Sequence, residues 1–340
     1  MSEATEKEIN QAARVLLEGG LVAFPTETVY GLGADAESRE AVESIYQAKG
    51  RPSNHPVIVH LAPEADLSYW AASVPDEAHA LIDAFWPGPL TLILKRAAHI
   101  SDVVSGGQDS VGLRCPSHPV AQRLIRAFAA GKPSGQGGIA GPSANKFGQV
   151  SPTQASHVRD EFPELVAQGM PILDGGASEV GIESSIVDLS RLDQGVGPVL
   201  LRPGQITAQQ IAAILNTAVQ DADAQAPRVS GALKSHYAPH TPIKLATASD
   251  MVLAAQQPIS DPAKRTVYVT HSLAQGALPQ QPGAEWVIMP AQPVAYSHAL
   301  YATLRALDQG GYAQMVWEEV PSTLEWLGIK DRLGRAAAAF

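Results

Sequence analysis

One cysteine, Cys115, stands in 340 residues, so the chain can form no internal disulfide and its thiol suits a reducing compartment. Cations are scarce as well: 24 Lys plus Arg face 34 Asp plus Glu, a formal net charge of -10. A phosphate backbone is gripped mainly through clustered Lys and Arg, so an extended nucleic-acid footprint is not expected, and any role on RNA should be indirect. Aromatic residues make up only 6%, which leaves few platforms for stacking bases. No apolar run approaches the ~18 residues of a membrane span, and Met1 to Asn10 is acidic and polar, without the apolar stretch of a secretory signal. A cytoplasmic protein that does not meet the membrane is expected. The ten histidines show no ligand spacing, so no protein-held metal is expected either.

What is present is enough hydrophobic residue, 45%, to bury a core, in a chain long enough for two domains. Ile9, Ala12, Ala13, Leu16 and Leu17 predict an amphipathic helix that stops at Gly19-Gly20, and Leu21 to Phe24 a short buried strand. Pro25 to Ala34 is rich in hydroxyls and glycine and reads as a turn-rich connection, or as a pocket wall carrying Thr26, Thr28 and Tyr30. Ala41, Val42, Ile45 and Tyr46 share a helical face between an N-cap at Ser38 and a stop at Gly50. Pro52 then pushes the chain into extended backbone, and 57–61 reads as a strand. A helix over 76–86, strands over 90–94 and 110–116, a helix over 118–129 and a glycine-rich surface loop over 131–138 follow.

Three stretches imitate nucleotide motifs. Gly31-x-Gly33-x-x-Ala36 and Gly135-x-Gly137-x-x-Ala140 fit a relaxed dinucleotide fingerprint, and Gly131-Lys132-Pro133-Ser134 resembles part of a phosphate loop. The first neither follows its strand directly nor has a carboxylate about 20 residues on. The second leads into Gly141-Pro142 rather than a helix, and Pro133 spoils the third. A dinucleotide oxidoreductase would rest on Gly31-x-Gly33 alone.

Lys49-Gly50-Arg51-Pro52 is more telling. In a cation-poor chain, two cations at a helix-to-strand junction suit an anion better than a surface. Ser143 and Asn145, two apart in Ile139 to Asn145, share a face on extended backbone, as Lys49 and Arg51 would. Charge from one pair and oriented donors from the other are what a polyphosphate needs.

The order Lys-x-Arg-Pro, then Ser-x-Asn, resembles the tetrad of YrdC-like threonylcarbamoyl-AMP synthases. Pro25 to Leu32, Phe85 to Thr91, Ser151-Pro152-Thr153, Leu173 to Gly176 and Leu201 to Gly204 resemble that family's blocks in order. Lys234 to Pro239 and Asp331-Arg332-Leu333 extend the resemblance to its longer, two-domain form. The fold it implies is a YrdC-like twisted mixed α/β sheet with flanking helices over 1–215. A linker over 216–241 would fold over the active site, and a smaller Rossmann-like α/β domain would occupy 242–340. Strands at 266–269, 286–289 and 315–317, with a helical pattern over 296–307, fit that last domain, with a parallel sheet expected.

The reaction implied joins L-threonine, bicarbonate and ATP to give threonylcarbamoyl-AMP and pyrophosphate, for the threonylcarbamoyladenosine modification of transfer RNA. Mg²⁺ would arrive with ATP, and a downstream threonylcarbamoyl transferase complex would take the product, without stable nucleic-acid binding by this chain. Carried onto this sequence, Lys49, Arg51, Ser143 and Asn145 would be catalytic and grip the phosphates. Ser110, Ser151, Arg202, Ser230, His236 and Tyr237 would contact ATP elsewhere. Thr26, Tyr30, His60, Arg114, Gly141 and Ser184 would hold threonine, Arg114 pairing with its carboxylate. Cys115 needs no role beyond packing. His55 stands where asparagine is common in the family, Gly141 where alanine is, and Ser185 where threonine is. A non-catalytic RNA-binding or translation-associated module is the alternative reading.

Overall fold

Local capping starts the chain as the sequence requires. Thr5 accepts from Glu8 N, and the Glu8 carboxylate accepts from Thr5 N at 2.8 Å, so a capping box opens helix α1 (Glu6–Leu17). Its apolar stripe, Ile9, Ala12, Ala13 and Leu16, is buried. The computed structural model describes residues 4–257, 264–279 and 282–340. Two compact units divide the chain: Met1–Phe147 with Ser151–Ala232, and Gly148–Val150 with Leu233–Phe340.

Among the described residues the first unit builds one mixed sheet from β1 (Val22–Phe24), β2 (Gly31–Asp35), β3 (Ile58–His60), β4 (Leu90–Lys95), β5 (Ser110–Arg114), β6 (Ile139–Ala140), β7 (Ser185–Asp188), β8 (Val199–Arg202) and β9 (Gln220–Asp221). Their order is β1-β2-β6-β3-β5-β4-β7-β8-β9. The run β1-β2-β6-β3 is antiparallel throughout, and from β3 onward parallel pairs (β3 with β5, β4 with β7, β8 with β9) alternate with antiparallel ones. Alternate residues face opposite ways along a strand. Val22 and Phe24 therefore join α1 and helix Pro119–Gly131 in one cluster, while Ala23 joins α2 (Arg39–Lys49) and helix Asp76–Phe85 in another. Helices cover both faces, as the family resemblance led us to expect.

The turn-rich reading of 25–34 needs correcting, because Gly31–Asp35 is a strand, paired with β1 from Phe24↔Gly31 to Val22↔Gly33. Its glycines serve packing. A Cβ on Gly31 would lie 2.9 Å from the Phe24 ring, and one on Gly33 would lie 2.8 Å from Ile139 and 2.9 Å from Phe24. The dinucleotide reading of Gly31-x-Gly33 falls with that, since these residues form no phosphate-binding turn.

The second unit carries β10 (Ile243–Ala246), β11 (Thr266–Thr270), β12 (Ala284–Ile288) and β13 (Gln314–Glu318), parallel throughout in the order β10-β13-β11-β12. This is the small parallel α/β sheet read from the sequence. At its carboxyl end buried Glu318 accepts from Thr270 Oγ1 at 2.5 Å and from the amides of His271 and Ser272 at 2.8 and 3.1 Å. A carboxylate with that many donors is a structural tie.

Overpacking against Phe24 is testable. Gly33→Val should lower unfolding stability by about 1–3 kcal/mol, read as a lower urea midpoint at unchanged slope, whereas Gly19→Val, where a Cβ meets nothing within 4 Å but φ is +83°, should act only through its backbone.

Candidate active site

Helix α2 delivers the first cation. Ser38 caps its start, and Gly50 ends it in the left-handed region at φ 62°, which lets the chain turn directly from Lys49 into Arg51. The pair is thus set by a left-handed glycine, and not by the pitch of extended backbone as the sequence suggested. Lys49 is 2% exposed. Its Nζ donates to the main-chain oxygens of Ser143, at 2.6 Å, and of Asn145.

The segment that supplies those oxygens is laced to its neighbours through the backbone. Gly141 N donates to Ile58 O, Leu32 N to Pro142 O, Ala144 N to Tyr30 O and Phe147 N to Lys49 O, all at 2.8–2.9 Å. The sequence offered the side chains of Ser143 and Asn145 as oriented donors to the anion that the cations would bind. Their carbonyls receive the lysine, the Asn145 amide donates to Lys146 O at 2.7 Å, and the Ser143 hydroxyl makes no hydrogen bond among the described residues.

Arg51 and Arg202 converge on one residue of the chain that follows the sheet. Arg51 Nη2 donates to Pro56 O at 2.7 Å and its Nη1 lies 3.5 Å from Ser230 Oγ. Arg202 donates from Nη1 to Ser230 O at 2.8 Å, from Nε to Ser184 O at 3.0 Å and from Nη2 to Ser184 Oγ at 3.2 Å. Ser184 Oγ also shares a hydrogen bond with Thr91 Oγ1 at 2.8 Å, and buried Ser151 donates to Glu183 Oε1 at 2.6 Å. Beside Ser230, an apolar slot floored by Ile58, Ile93 and Ile186, with Ser110 and Gly112 on its rim, holds about 10 Å³.

A second group gathers at the ends of β3 and β5, where His60 and Arg114 are register partners. Arg114 and Glu27, each with its side chain 4% exposed, form an ion pair at 2.7 Å, and Glu27 also accepts from Ser117 N at 3.2 Å. The His60 ring meets Phe24 edge-on at 5.5 Å, and a Cβ on Gly141 would come 3.1 Å from His60 Nδ1. Two of the expected hydroxyls are committed to the chain itself. Thr26 Oγ1 donates to Val29 O at 2.6 Å and accepts from the amides of Thr28 and Val29. Tyr30 OH donates to Gly176 O at 2.7 Å and accepts from Gly175 N at 3.1 Å. His236 and Tyr237 belong to the second unit, where their rings lie 4.2 Å apart and the Arg332 guanidinium stands 5.4 Å over Tyr237.

Burial, and then the charge of Arg51, hold the Lys49 ammonium well below the ordinary lysine value. Burial and then Arg114 push His60 down to about 3, so its ring is neutral at physiological pH. Burial lifts the Cys115 thiol to about 12, which leaves it inert, and lifts Tyr30 to about 12. The site gathers two cations, Lys49 and Arg51, at one end and the Arg114–Glu27 ion pair at the other.

The family model described as telomere recombination (Sua5, YciO, YrdC) matches residues 14–204, and that of the threonylcarbamoyl-AMP synthase C-terminal domain matches 206–338. A threonylcarbamoyl-AMP synthase of Bacillus subtilis is 38% identical over 98% of this chain and 93% of its own length. The chain belongs to the threonylcarbamoyl-AMP synthase family. A synthase of Schizosaccharomyces pombe is 34% identical over 98% of the chain and 89% of its own length. Among solved structures, Pyrococcus abyssi Sua5 complexed with L-threonine superposes with a TM-score of 0.83 at 31% identity, covering 98% of this chain and 95% of that one.

Two carboxylates of this family member went unnoticed in the sequence. Glu27 lies inside the hydroxyl-rich stretch, which drew attention to Thr26, Thr28 and Tyr30 and away from the one charge among them. Glu183 precedes Ser184, and the signal available was an acidic residue within a stretch of mostly small and apolar residues, Val180 to Val187.

Lys49 yields a pH prediction. The free protein holds this lysine with a depressed pKa, and a triphosphate beside it favours the ammonium. ATP binding should therefore take up protons, and affinity should fall as the pH rises above the free lysine's pKa. Calorimetry in buffers of differing ionisation enthalpy checks this, and Lys49→Met should abolish the uptake.

Proposed function

We propose that the chain forms L-threonylcarbamoyl-AMP and pyrophosphate from ATP, L-threonine and bicarbonate, and that a separate threonylcarbamoyl transferase places the product on transfer RNA. The reading is carried by Lys49, a buried ammonium whose partners are carbonyl oxygens and not a carboxylate. Such a charge is complete only with an anion. Lys49 and Arg51 supply charge to the triphosphate, while the Ser143 hydroxyl and the Asn145 side chain supply oriented polar groups. Ser151 and Arg202 bound the nucleotide from other walls, and Ser110 edges the apolar slot that takes its base.

Threonine belongs at the other end. Arg114 and Glu27 present a cation and a carboxylate together, the complement of a zwitterion, with Tyr30, Thr26, Gly141 and Ser184 shaping the walls and neutral His60 as a hydrogen-bonding group. The amine adds to bicarbonate with loss of water, and the carbamate oxygen attacks the α-phosphorus in line with departing pyrophosphate. Such a reaction depends on positioning and charge neutralisation, with no covalent nucleophile. Mg²⁺ would travel with ATP, keeping phosphate and water as its ligands, and would add charge neutralisation to that of Lys49 and Arg51. We place the reaction in the cytoplasm, with product handed on and no lasting hold on nucleic acid.

Pyrophosphate release by purified protein with ATP, Mg²⁺ and bicarbonate tests this. Release should require threonine, and Lys49→Ala and Asn145→Ala should each lower it by about 10²–10³. Release indifferent to threonine would leave only a nucleotide hydrolase, and absence of release from folded protein would end the reading.

A further inference from the structure

Residues 228–230 lie across the apolar slot and are fastened on both sides of it. One side-chain amide grips the main chain of Arg228. The Arg228 N–H donates to Gln108 Oε1 at 2.8 Å, and its carbonyl accepts from Gln108 Nε2 at 3.1 Å, the pairing a neighbouring strand would make. Gln108 is anchored in turn, Nε2 donating to Ser105 O at 3.1 Å, and the Arg228 guanidinium donates to Gly106 O at 3.1 Å. On the far side Arg202 holds Ser230 O at 2.8 Å.

Between these ties Val229 is 7% exposed and packs with Ile93 and Ile186 on the face of the sheet. With Val229 seated there, the slot keeps about 10 Å³. That is the space of about one water molecule at most, and a purine is far larger. The slot adjoins Ser230, which Arg51 and Arg202 approach, so a nucleotide with its phosphates at Lys49 and Arg51 has its base on this side. Valine and base cannot share it.

We propose that Gln108 is a positioning residue for nucleotide binding: it latches residues 228–230 so that Val229 fills the base slot, and the purine of ATP enters by displacing it. The inference rests on the reading of ATP as substrate and adds a competition built into the chain. Gln108 touches no reacting atom. It sets how firmly the slot is closed before ATP arrives, so part of the binding energy of the base is spent on lifting Val229.

The probe is α,β-methylene-ATP, whose α,β-bond the reaction cannot break, titrated calorimetrically into wild type, Gln108→Ala and Val229→Ala. Each variant should bind it about 3- to 10-fold more tightly, the size expected from removing one or two net hydrogen bonds or a seated methyl pair. In the Gln108→Ala protein the KM for ATP should fall while that for threonine stays. Tryptic cleavage of the Arg228–Val229 bond gives a readout that a merely structural role would not move. It should be slow in wild type, faster in Gln108→Ala and faster in wild type with the analogue, at unchanged rates elsewhere. Weaker or unchanged binding in both variants, or protection of that bond by the analogue, would overturn the proposal. Since the first readout is binding, a wild-type protein that releases no pyrophosphate would count against the functional reading alone.

Discussion

The ammonium of Lys49, held by two main-chain carbonyls, sets the terms for the first unit. Burying such a charge costs several kcal/mol in lost hydration, and hydrogen bonds from a charged donor return about 1.5–3 kcal/mol each. The bonds to Ser143 and Asn145 therefore offset much of the cost without cancelling the charge. They also join the end of α2 to the segment after β6, while Phe147 N returns a bond to Lys49 O at 2.8 Å. A helix terminus and a loop more than ninety residues apart are thus closed on each other around the Lys49 amine.

Charge is distributed unevenly from that centre. At the Lys49 end Arg51 adds a second cation, and both lie against carbonyl and hydroxyl oxygens. At the β3–β5 end Arg114 has its own carboxylate in Glu27, and burial keeps His60 neutral. On the proposed reading the two ends would sort ligands by charge, a polyanion at the first and a zwitterion at the second. Ser184, hydrogen-bonded to Arg202 and Thr91, belongs to the wall between them. Geometry that brings two reactants together while keeping their charges apart is the main service a group transfer of this kind requires.

Much of this was legible in the sequence, and the exceptions have physical reasons. Lys49 could be placed because helix periodicity, an N-cap and a glycine stop agree, and Ser143 and Asn145 because their spacing stands out near Pro142. That their carbonyls receive the lysine was not legible, since main-chain acceptors are the same at every residue. β2 was missed because Gly31 and Gly33 carry turn composition into a strand, where they make room for Phe24. Thr26 and Tyr30 were read as open hydroxyls, but that of Thr26 is spent within its own turn, on Val29 O and the amides of Thr28 and Val29, and that of Tyr30 on the 175–176 backbone more than 140 residues away. Pattern finds a polar group; only the fold says whether it is already committed.

The remaining reactive groups of the first unit bear on how the chemistry is done. The Cys115 thiol is lifted to about 12 and the His60 ring lowered to about 3, in opposite directions for one reason, since burial disfavours the charged form of each. Neither is tuned to exchange a proton near neutrality. A thiol kept protonated and an imidazole kept neutral cannot lead the reaction as nucleophile or strong acid, but they raise no competing charge beside Arg114. On the proposed reading the site contributes a fixed field, with Lys49 and Arg51 placed where negative charge would gather as a bond to phosphorus breaks.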